Sequence, residues 1–419
     1  MIEAILTASA FTDTDHDPDT GPTTAPGTWI QRLNLSAFRN YRQAVVESDG
    51  RPVVLTGPNG AGKTNLLEAV SFLAPGRGLR RAKLAEVQRR APARTEDAAP
   101  VADAAQRWAL AATVMTPDGP RDIGTGQDPN AVPTAPGNGN ERRVVKIDGA
   151  PARSQQALAE ILSLVWLTPQ LDGLFREGAT ARRRFFDRLV YGFDPAHAGR
   201  IAGYEHNLRE RARLLRDGGG DGTWLAALEE AMAERAVAIA AARRELCGRL
   251  AEACAAGLDR FPAAGLGLAG DVESWLDEMP ALAVEERLRH ALSDSRRRDA
   301  EAGGAAVGPH RTDLAVHHVA KDQPANLCST GEQKALLISI VLAHARLLTL
   351  DRGAPPLLLL DEVAAHLDET RRESLFDEIL ALGAQAWLTG TDVALFDGLT
   401  GKGQFFGVQD AVVRPLGRA

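Results

Sequence analysis

The octapeptide GPNGAGKT, Gly57 to Thr64, constrains the fold of this chain more than any other stretch. It follows PVVLTG, a short apolar run that reads as a strand buried on both faces. It opens TNLLEAVSFLA, where Leu66, Leu67, Val70 and Leu73 recur at helical spacing. Strand, glycine-rich turn and helix in that order make a phosphate cradle, which a glycine-rich turn without those flanks would not. The turn formed by Gly57, Pro58, Asn59, Gly60, Ala61 and Gly62 aims backbone N–H groups inward, and the helix start adds orphan donors and a positive dipole end. Lys63 can bridge the outer phosphates and Thr64 can ligate magnesium, so a nucleoside triphosphate is the implied ligand.

A second chemical feature lies near the other end of the chain. PPLLLLDE, Pro355 to Glu362, is an apolar strand ending in two carboxylates, and a buried parallel strand delivers Asp361 to the sheet edge that carries the phosphate loop. Asp361 can then hold the magnesium shell while Glu362 polarises a water against the terminal phosphate. The bland alternative is a strand-end turn with solvated acids. Upstream, CSTGEQKALLISIVLAHARLL begins at Cys328, and Ser329, Thr330 and Gly331 open an apolar-faced helix with anion-binding character at its start. Taken alone, Ser or Thr followed by Glu332 is an ordinary helix cap.

Apolar strands alternating with helices at both ends, around a helical middle, describe one α/β domain assembled from N- and C-terminal parts with a helical lobe inserted. Residues 1–28 contain TDTDHDPDTGPTTAPG and read as a disordered leader. Residues 29–153 form the N-terminal part, with 117–140 as a flexible insertion rich in Gly, Pro, Asn and Asp. The helical lobe is expected over 154–300 and the C-terminal part over 301–419. Helical patterns dominate the lobe, and its longest helix, from Trp224 to about Leu258, reaches only ~50 Å at ~1.5 Å per residue. That excludes the long coiled-coil rods of chromosome-organising ATPases.

Formal charge is −7, which argues against coating nucleic acid by bulk positive charge, so any polyanion site is local. Of the 48 basic residues 42 are Arg, and Arg clusters are discounted accordingly. The candidates for DNA are Arg77, Arg80, Arg81 and Lys83 after the first helix, and Arg182, Arg183 and Arg184 within the Arg-rich stretch 176–217. The bland reading, solvated arginines on helices, weighs equally for any one of them, and the triplet could instead pair with acids inside the lobe. The longest apolar run, around Leu336 to Leu348, is interrupted by His344 and Arg346, which argues against a membrane span. The apolar start lacks a positive flank, so the cytoplasm is the default compartment. Cys247, Cys254 and Cys328 are too sparse for a disulfide framework or a zinc site.

Beyond the phosphate loop, an ordered set of motifs points to a family. FRNY (Phe38 to Tyr41), GPNGAGKTNLLEA with Asn59 and Asn65, GRGLR (Gly76 to Arg80) and TPQLDGLFREGATARRRFFDRL come first; GPHRTDL (Gly308 to Leu314), CSTGEQKALL and LLLLDEVAAHLDETRR follow. From about Trp29 to Val413 the chain resembles the RecF family of ABC/SMC-like ATPases. The resemblance implies an ABC-type ATPase head with ATP and Mg2+ as cofactors, slow DNA-stimulated hydrolysis, and a homodimer that forms when ATP is sandwiched between two heads. It places Ser329, Thr330 and Gly331 of one subunit on the nucleotide of the other, Asp368 at the dimer seam and Gln170 in a magnesium-sensing loop. It also implies double-stranded DNA with gap junctions as the ligand, mediator proteins of the RecR and RecO type and a recombinase as partners, and no membrane. The expected setting is DNA replication, recombination, repair and the SOS response, in the cytoplasm at the nucleoid.

One departure bears on rate. Many ABC ATPases place a histidine after the strand that follows the acidic pair, and here the strand ends TGTD with Thr391 near that place. A hydroxyl cannot match the charge of an imidazole, so turnover is expected to be slow and switch-like. The competing reading is the ATPase subunit of a transporter or another non-DNA motor of the same class. That reading expects a histidine near Thr391 and ~100 to 150 residues between phosphate loop and catalytic acid, against roughly 300 here. A nucleotide switch without hydrolysis is disfavoured by Glu362.

Overall fold

Aliphatic runs too short for helices become the buried strands of a parallel sheet, and that sheet sets the positions of the phosphate loop and the acidic pair. The computed structural model describes residues 27–89, 107–128, 142–218, 222–257 and 260–417. In chain order the first strands are β1 (Trp29–Phe38), β2 (Tyr41–Glu47), β3 (Val53–Thr56), β4 (Ala109–Thr116), β5 (Gly119–Gln127), β6 (Arg143–Ile147), β7 (Ala150–Pro151) and β8 (Leu164–Leu167). They are followed by β9 (Ala264–Ala269), β10 (Asp313–His318), β11 (Gln323–Pro324), β12 (Leu357–Leu360), β13 (Ala386–Gly390), β14 (Gln404–Gln409) and β15 (Val412–Leu416). The described residues divide into two units, one up to Pro169 together with those from Leu348 onward, the other Gln170–Leu347.

The first unit holds two six-stranded sheets. One has the order β15-β14-β3-β13-β12-β8 and the other β2-β1-β4-β5-β6-β7. In the first, β14, β3, β13, β12 and β8 run parallel to one another and β15 pairs antiparallel at the edge, with Trp387 of β13 in register with Val53 of β3 and with Leu359 of β12. Val53, Val54, Leu55 and Leu357 to Leu360 are buried, as strands covered on both faces require. The second sheet is antiparallel and packs its inner face on the helix Lys63–Ser71, where Phe38, Phe72 and Trp108 meet edge-on at centroid distances of 5.3 to 6.0 Å. The Gln385 amide ties the sheets together by bonding both backbone groups of Ile30, at 2.9 and 3.1 Å.

The fold departs from the sequence pattern in three places. Residues 119–127, placed in a flexible insertion, form β5, paired on one side with β4 and on the other with β6. Buried Ile123 and Thr125 and a double set of ladder partners override the turn-rich composition; 129–141 lie outside the described residues, as do 1–26 of the leader. Second, the region read as helical from 154 contains β8 and β9, because Val165 of β8 finds a parallel partner in Leu358 and Leu268 of β9 an antiparallel one in Leu314. Third, the units divide at 169/170 and 347/348 rather than at 153/154 and 300/301, since β8 belongs to the large parallel sheet and β10 pairs with β9.

In the second unit the 34-residue helix Gly222–Ala255 packs with the helices His197–Arg216 and Ala281–Asp294 around Tyr204, Met232, Val237, Val284, Leu288 and Leu292. Arginines are internal ties here. Buried Arg211 bonds Glu229 and Asp299, both at 2.9 Å, and the Leu292 carbonyl at 2.6 Å; buried Arg243 holds Asp187 at 2.7 and 3.0 Å. Removing one partner of such a pair typically costs ~3–5 kcal/mol, so these contacts lock the helices to one arrangement. The 23-residue helix Thr330–Arg352 has the length and apolar content of a membrane span, but most of it is buried inside the protein. The three cysteines are buried and free.

Candidate active site

β3 ends at Thr56 and the chain turns at once into the loop Gly57–Gly62, which leads into the helix Lys63–Ser71. A side chain is forbidden at two points of that turn. At Gly57 (φ 147°) an added Cβ would lie 2.1 Å from the Val408 carbonyl oxygen, and at Gly62 (φ 118°) it would lie 2.6 Å from the Tyr41 hydroxyl and 2.7 Å from Asn40 Nδ2. Tyr41 and Asn40 belong to the FRNY motif, which carried no assigned chemistry in the sequence. The Tyr41 hydroxyl donates to the Gly62 carbonyl and Asn40 Nδ2 to the Ala61 carbonyl, each at 3.1 Å, and Asn65 Nδ2 donates to Asn40 Oδ1 at 2.7 Å. Arg39 forks onto buried Glu68 of the helix at 2.6 and 2.9 Å. The motif is thus a brace that fixes the loop from behind, leaving its N–H side for a ligand.

Lys63 is buried, and its ammonium donates to the carbonyls of Gly57 and Pro58 at 2.6 and 3.0 Å. Burial lowers its pKa below the ordinary lysine value, and the Glu362 and Asp361 carboxylates oppose that shift. Those carboxylates stand at the end of β12, where the Asp361 N–H donates to Leu167 of β8 at 2.9 Å. Thr64 Oγ1 donates to Asp361 Oδ1 at 2.9 Å across 297 residues of sequence. The loop lysine, the helix threonine and both acids therefore converge at one sheet edge, as their spacing and context predicted.

Thr389, at the end of β13, went unassigned in the sequence. Its buried hydroxyl donates to Asp361 Oδ1 at 2.7 Å and accepts the Glu362 N–H at 2.9 Å. Glu362 itself takes a left-handed backbone (φ 53°), a conformation costing ~1–3 kcal/mol for a residue other than glycine. The hydroxyl bridge offsets that strain and fixes the direction in which Glu362 leaves the strand. The available signal was a lone hydroxyl in a buried strand next to the acidic pair; Thr391, two residues on, is exposed.

A magnesium ion fits this donor set. Thr64 and Asp361 present oxygen ligands within 3 Å of one another, and Mg2+ takes few protein oxygens beside phosphate and water. Clusters of three or more His, Cys, Asp or Glu, the mark of a dedicated protein cage, do not occur among the described residues.

Asp368 caps the helix Glu369–Leu382, accepting the Arg371 N–H at 2.8 Å, and is exposed. Ser329, Thr330 and Gly331 are exposed at the start of the helix Thr330–Arg352 in the second unit, and exposed Gln170 opens that unit three residues after β8. Arg77, Arg80, Arg81 and Lys83 are exposed, Arg80 bonding Asn65 at 2.8 Å and Glu68 at 3.2 Å. Within the triplet, Arg182 is committed to Asp313 through two bonds of 2.7 Å, so pairing with an acid inside the lobe holds for it; Arg183 donates instead to the Thr312 carbonyl at 2.8 Å, and Arg184 is exposed.

The RecF/RecN/SMC N terminal domain model matches residues 29–393. The DNA replication and repair protein RecF of Mesorhizobium japonicum is 49% identical over 394 residues, covering 93% of this chain and 98% of the relative. The chain belongs to the RecF family. The RecF protein of Rhizobium etli strain CFN 42 is 46% identical over 386 residues, covering 92% of this chain and 98% of its own length. Among solved structures, the recombination mediator protein RecF solved as RecF-ATPrS superposes with a TM-score of 0.79 at 21% identity, covering 94% of this chain and 100% of that one. A Pyrococcus furiosus Smc head domain with an extended coiled coil gives 0.51 at 15% identity, covering 93% and 96%. The fold is therefore the ABC/SMC-type head of the RecF family, assembled from both ends of the chain around an inserted lobe.

Proposed function

We propose that this RecF-family protein binds ATP with magnesium at Gly57–Thr64 and Asp361, hydrolyses it slowly, and uses the cycle to hold and release DNA during replication and recombinational repair in the cytoplasm. The observation that carries the reading is the 2.9 Å contact between Thr64 and Asp361, which joins the phosphate loop to the acidic strand. The names of the relatives, DNA replication and repair protein RecF, and the RecF-ATP and RecF-ATPrS structures of fold neighbours support it.

In the proposed mechanism the loop N–H groups and Lys63 bind the outer phosphates, the lysine exchanging two carbonyl partners for phosphoryl oxygens. Thr64 and Asp361 would hold a magnesium ion, which would supply neutralisation of charge on those oxygens. Glu362 orients a water and takes its proton as the oxygen attacks the terminal phosphorus and the bond to the diphosphate breaks, giving ADP and phosphate. Thr389 keeps Asp361 and Glu362 in register. Ser329, Thr330 and Gly331 act on the nucleotide of a second copy, with Asp368 at the seam, so that ATP closes a dimer on double-stranded DNA or a gap junction. Mediators of the RecR and RecO type and a recombinase are the downstream partners.

The test is size-exclusion chromatography of Glu362→Gln with ATP. A trapped dimer that shifts duplex DNA is expected, with log K falling against log salt at a slope near −5 if about six phosphates are neutralised. A monomer with ATP bound would remove the dimer mechanism and leave nucleotide binding standing, and a flat salt response would remove duplex binding.

A further inference from the structure

The GPHRTDL segment plays no part in the nucleotide site. Its loop and the residues before it instead form one side of an open cavity of about 520 Å³ in the second unit, flanked by the helices His197–Arg216 and Arg296–Ala302. This wall is rigid. His310 uses both ring nitrogens, Nε2 against the Ala305 carbonyl at 3.0 Å and Nδ1 against the Tyr204 hydroxyl at 2.8 Å, and burial lowers its pKa, which favours the neutral ring that such donor and acceptor roles require. Asp299 clamps the same loop, its carbonyl accepting the Gly304 N–H at 3.1 Å and its carboxylate the Ala306 N–H at 3.2 Å. At Gly303 and Gly304 the wall is bare backbone, since an added Cβ would meet nothing within 4 Å.

Three arginines from three segments line this cavity: Arg209, Arg298 and Arg311. Arg209 faces only Glu205, at 3.8 Å with both side chains exposed, and the guanidinium groups of Arg298 and Arg311 have no ion pair or hydrogen bond among the described residues. The acid in the wall, Asp299, is already neutralised by Arg211 at 2.9 Å and bonded by Ser295 at 2.6 Å. Elsewhere in this unit Arg182, Arg211, Arg243 and Arg296 are each spent on carboxylates. Arginine abundance explains many exposed guanidiniums, but not two unpaired ones and a third held only by a 3.8 Å surface contact around a single backbone-walled cavity.

We propose that this cavity is a phosphate site, in which Arg209, Arg298 and Arg311 present guanidinium forks to the oxygens of a phosphodiester or a small phosphate ester. The volume accommodates a phosphate together with its attached sugar. The site is separate in residues and chemistry from the ATP cradle, and it does not rest on the hydrolysis reading.

The experiment compares the full-length protein with two triple variants, Arg209→Gln/Arg298→Gln/Arg311→Gln and a control that removes the same charge from exposed positions elsewhere, Arg216→Gln/Arg289→Gln/Arg297→Gln. One arm measures fluorescein-labelled duplex binding by anisotropy across salt concentrations. The other measures inorganic pyrophosphate by calorimetry on a Lys63→Ala background, which weakens binding at the phosphate loop. If the ligand is a nucleic-acid backbone, the cavity variant loses at least about tenfold in duplex affinity, and its salt slope becomes shallower by about 2.7 relative to the control. If the ligand is a small phosphate, duplex binding matches the control and the pyrophosphate heat disappears. Behaviour indistinguishable from the control in both arms overturns the proposal. ATP turnover, read in parallel, tests the function proposed above and is expected to be unchanged in both triple variants.

Discussion

Two helices of this chain begin with small and hydroxyl-bearing residues, and they deal with their unpaired N-terminal donors in opposite ways. The helix Lys63–Ser71 has no side-chain cap and no acid in its first turn; the braces from Tyr41 and Asn40 bond the loop's carbonyls and leave its N–H groups open. The helix Thr330–Arg352 caps itself. Glu332 accepts from the Ser329 N–H at 3.0 Å and from its hydroxyl at 2.9 Å, and Lys321 grips the same carboxylate. The first end leaves its donors to a ligand, whereas the second already spends Ser329 and Glu332 on each other. That difference matches the proposed division of labour between a site that holds nucleotide within one chain and one that meets it only in a dimer.

The contrast breaks most readily at Lys63. Lys63→Ala is expected to lower steady-state phosphate release by ~10²–10³ and to weaken nucleotide binding by the monomer. Ser329→Ala should leave monomer binding unchanged and lose ATP-dependent dimerisation; equal loss of monomer affinity in both variants, read by fluorescent-nucleotide titration, would show that the two ends are not different in kind. Next in size is Gly62→Ala, which forces a Cβ into Tyr41 at a positive φ and should cost about 2 kcal/mol in urea unfolding. Gly331→Ala has open space and should stay within about 0.5 kcal/mol of the parent.

Thr389 extends the comparison to the acidic strand. Thr389→Val keeps the shape and deletes the hydroxyl that Asp361 and the Glu362 N–H share. Turnover should fall about tenfold, the equivalent of one lost hydrogen bond of ~1.4 kcal/mol, with the KM for ATP little changed and Thr389→Ser restoring most of the rate. A rise in KM at constant kcat would make Thr389 a binding residue instead.

What the sequence revealed, and what it hid, follows from how local each feature is. GPNGAGKT, LLLLDE and the helix start at Ser329 are legible because short-range geometry dictates their residues. LVWL at 164–167 is too short for periodicity to identify and becomes β8 only because β12 offers a parallel edge. GPRDIGTGQ carries turn residues throughout, yet lies between two strands that each supply a ladder. At the site, exposed Thr391 stands near the place of the expected histidine, while the bonded hydroxyl is that of Thr389, a relation that exists only once β13 lies beside β12. Arg182 could have faced DNA or an acid, and Asp313, 131 residues away in sequence, decides it.

The smallest expected effect separates the two helix starts by pH. The Glu332 carboxyl is held down to about 2, chiefly by its bond from Lys321 and then by the Ser329 N–H and hydroxyl. A carboxylate whose folded pKa lies below the ordinary ~4.3 contributes to the cap fully above that value and loses the contribution as pH falls through about 2. The self-capped end therefore weakens on the acid side. Lys63 behaves oppositely: burial lowers its pKa, so its proton, and with it the attraction for phosphate, is lost on the alkaline side earlier than for a free lysine. A carbon-detected NMR titration of Glu332 should show the depressed midpoint in the parent and a return toward the ordinary carboxylate range in Lys321→Met. An unchanged midpoint in that variant would mean that Ser329 alone sustains the cap, and the self-contained character of this helix start would then rest on hydrogen bonds without charge.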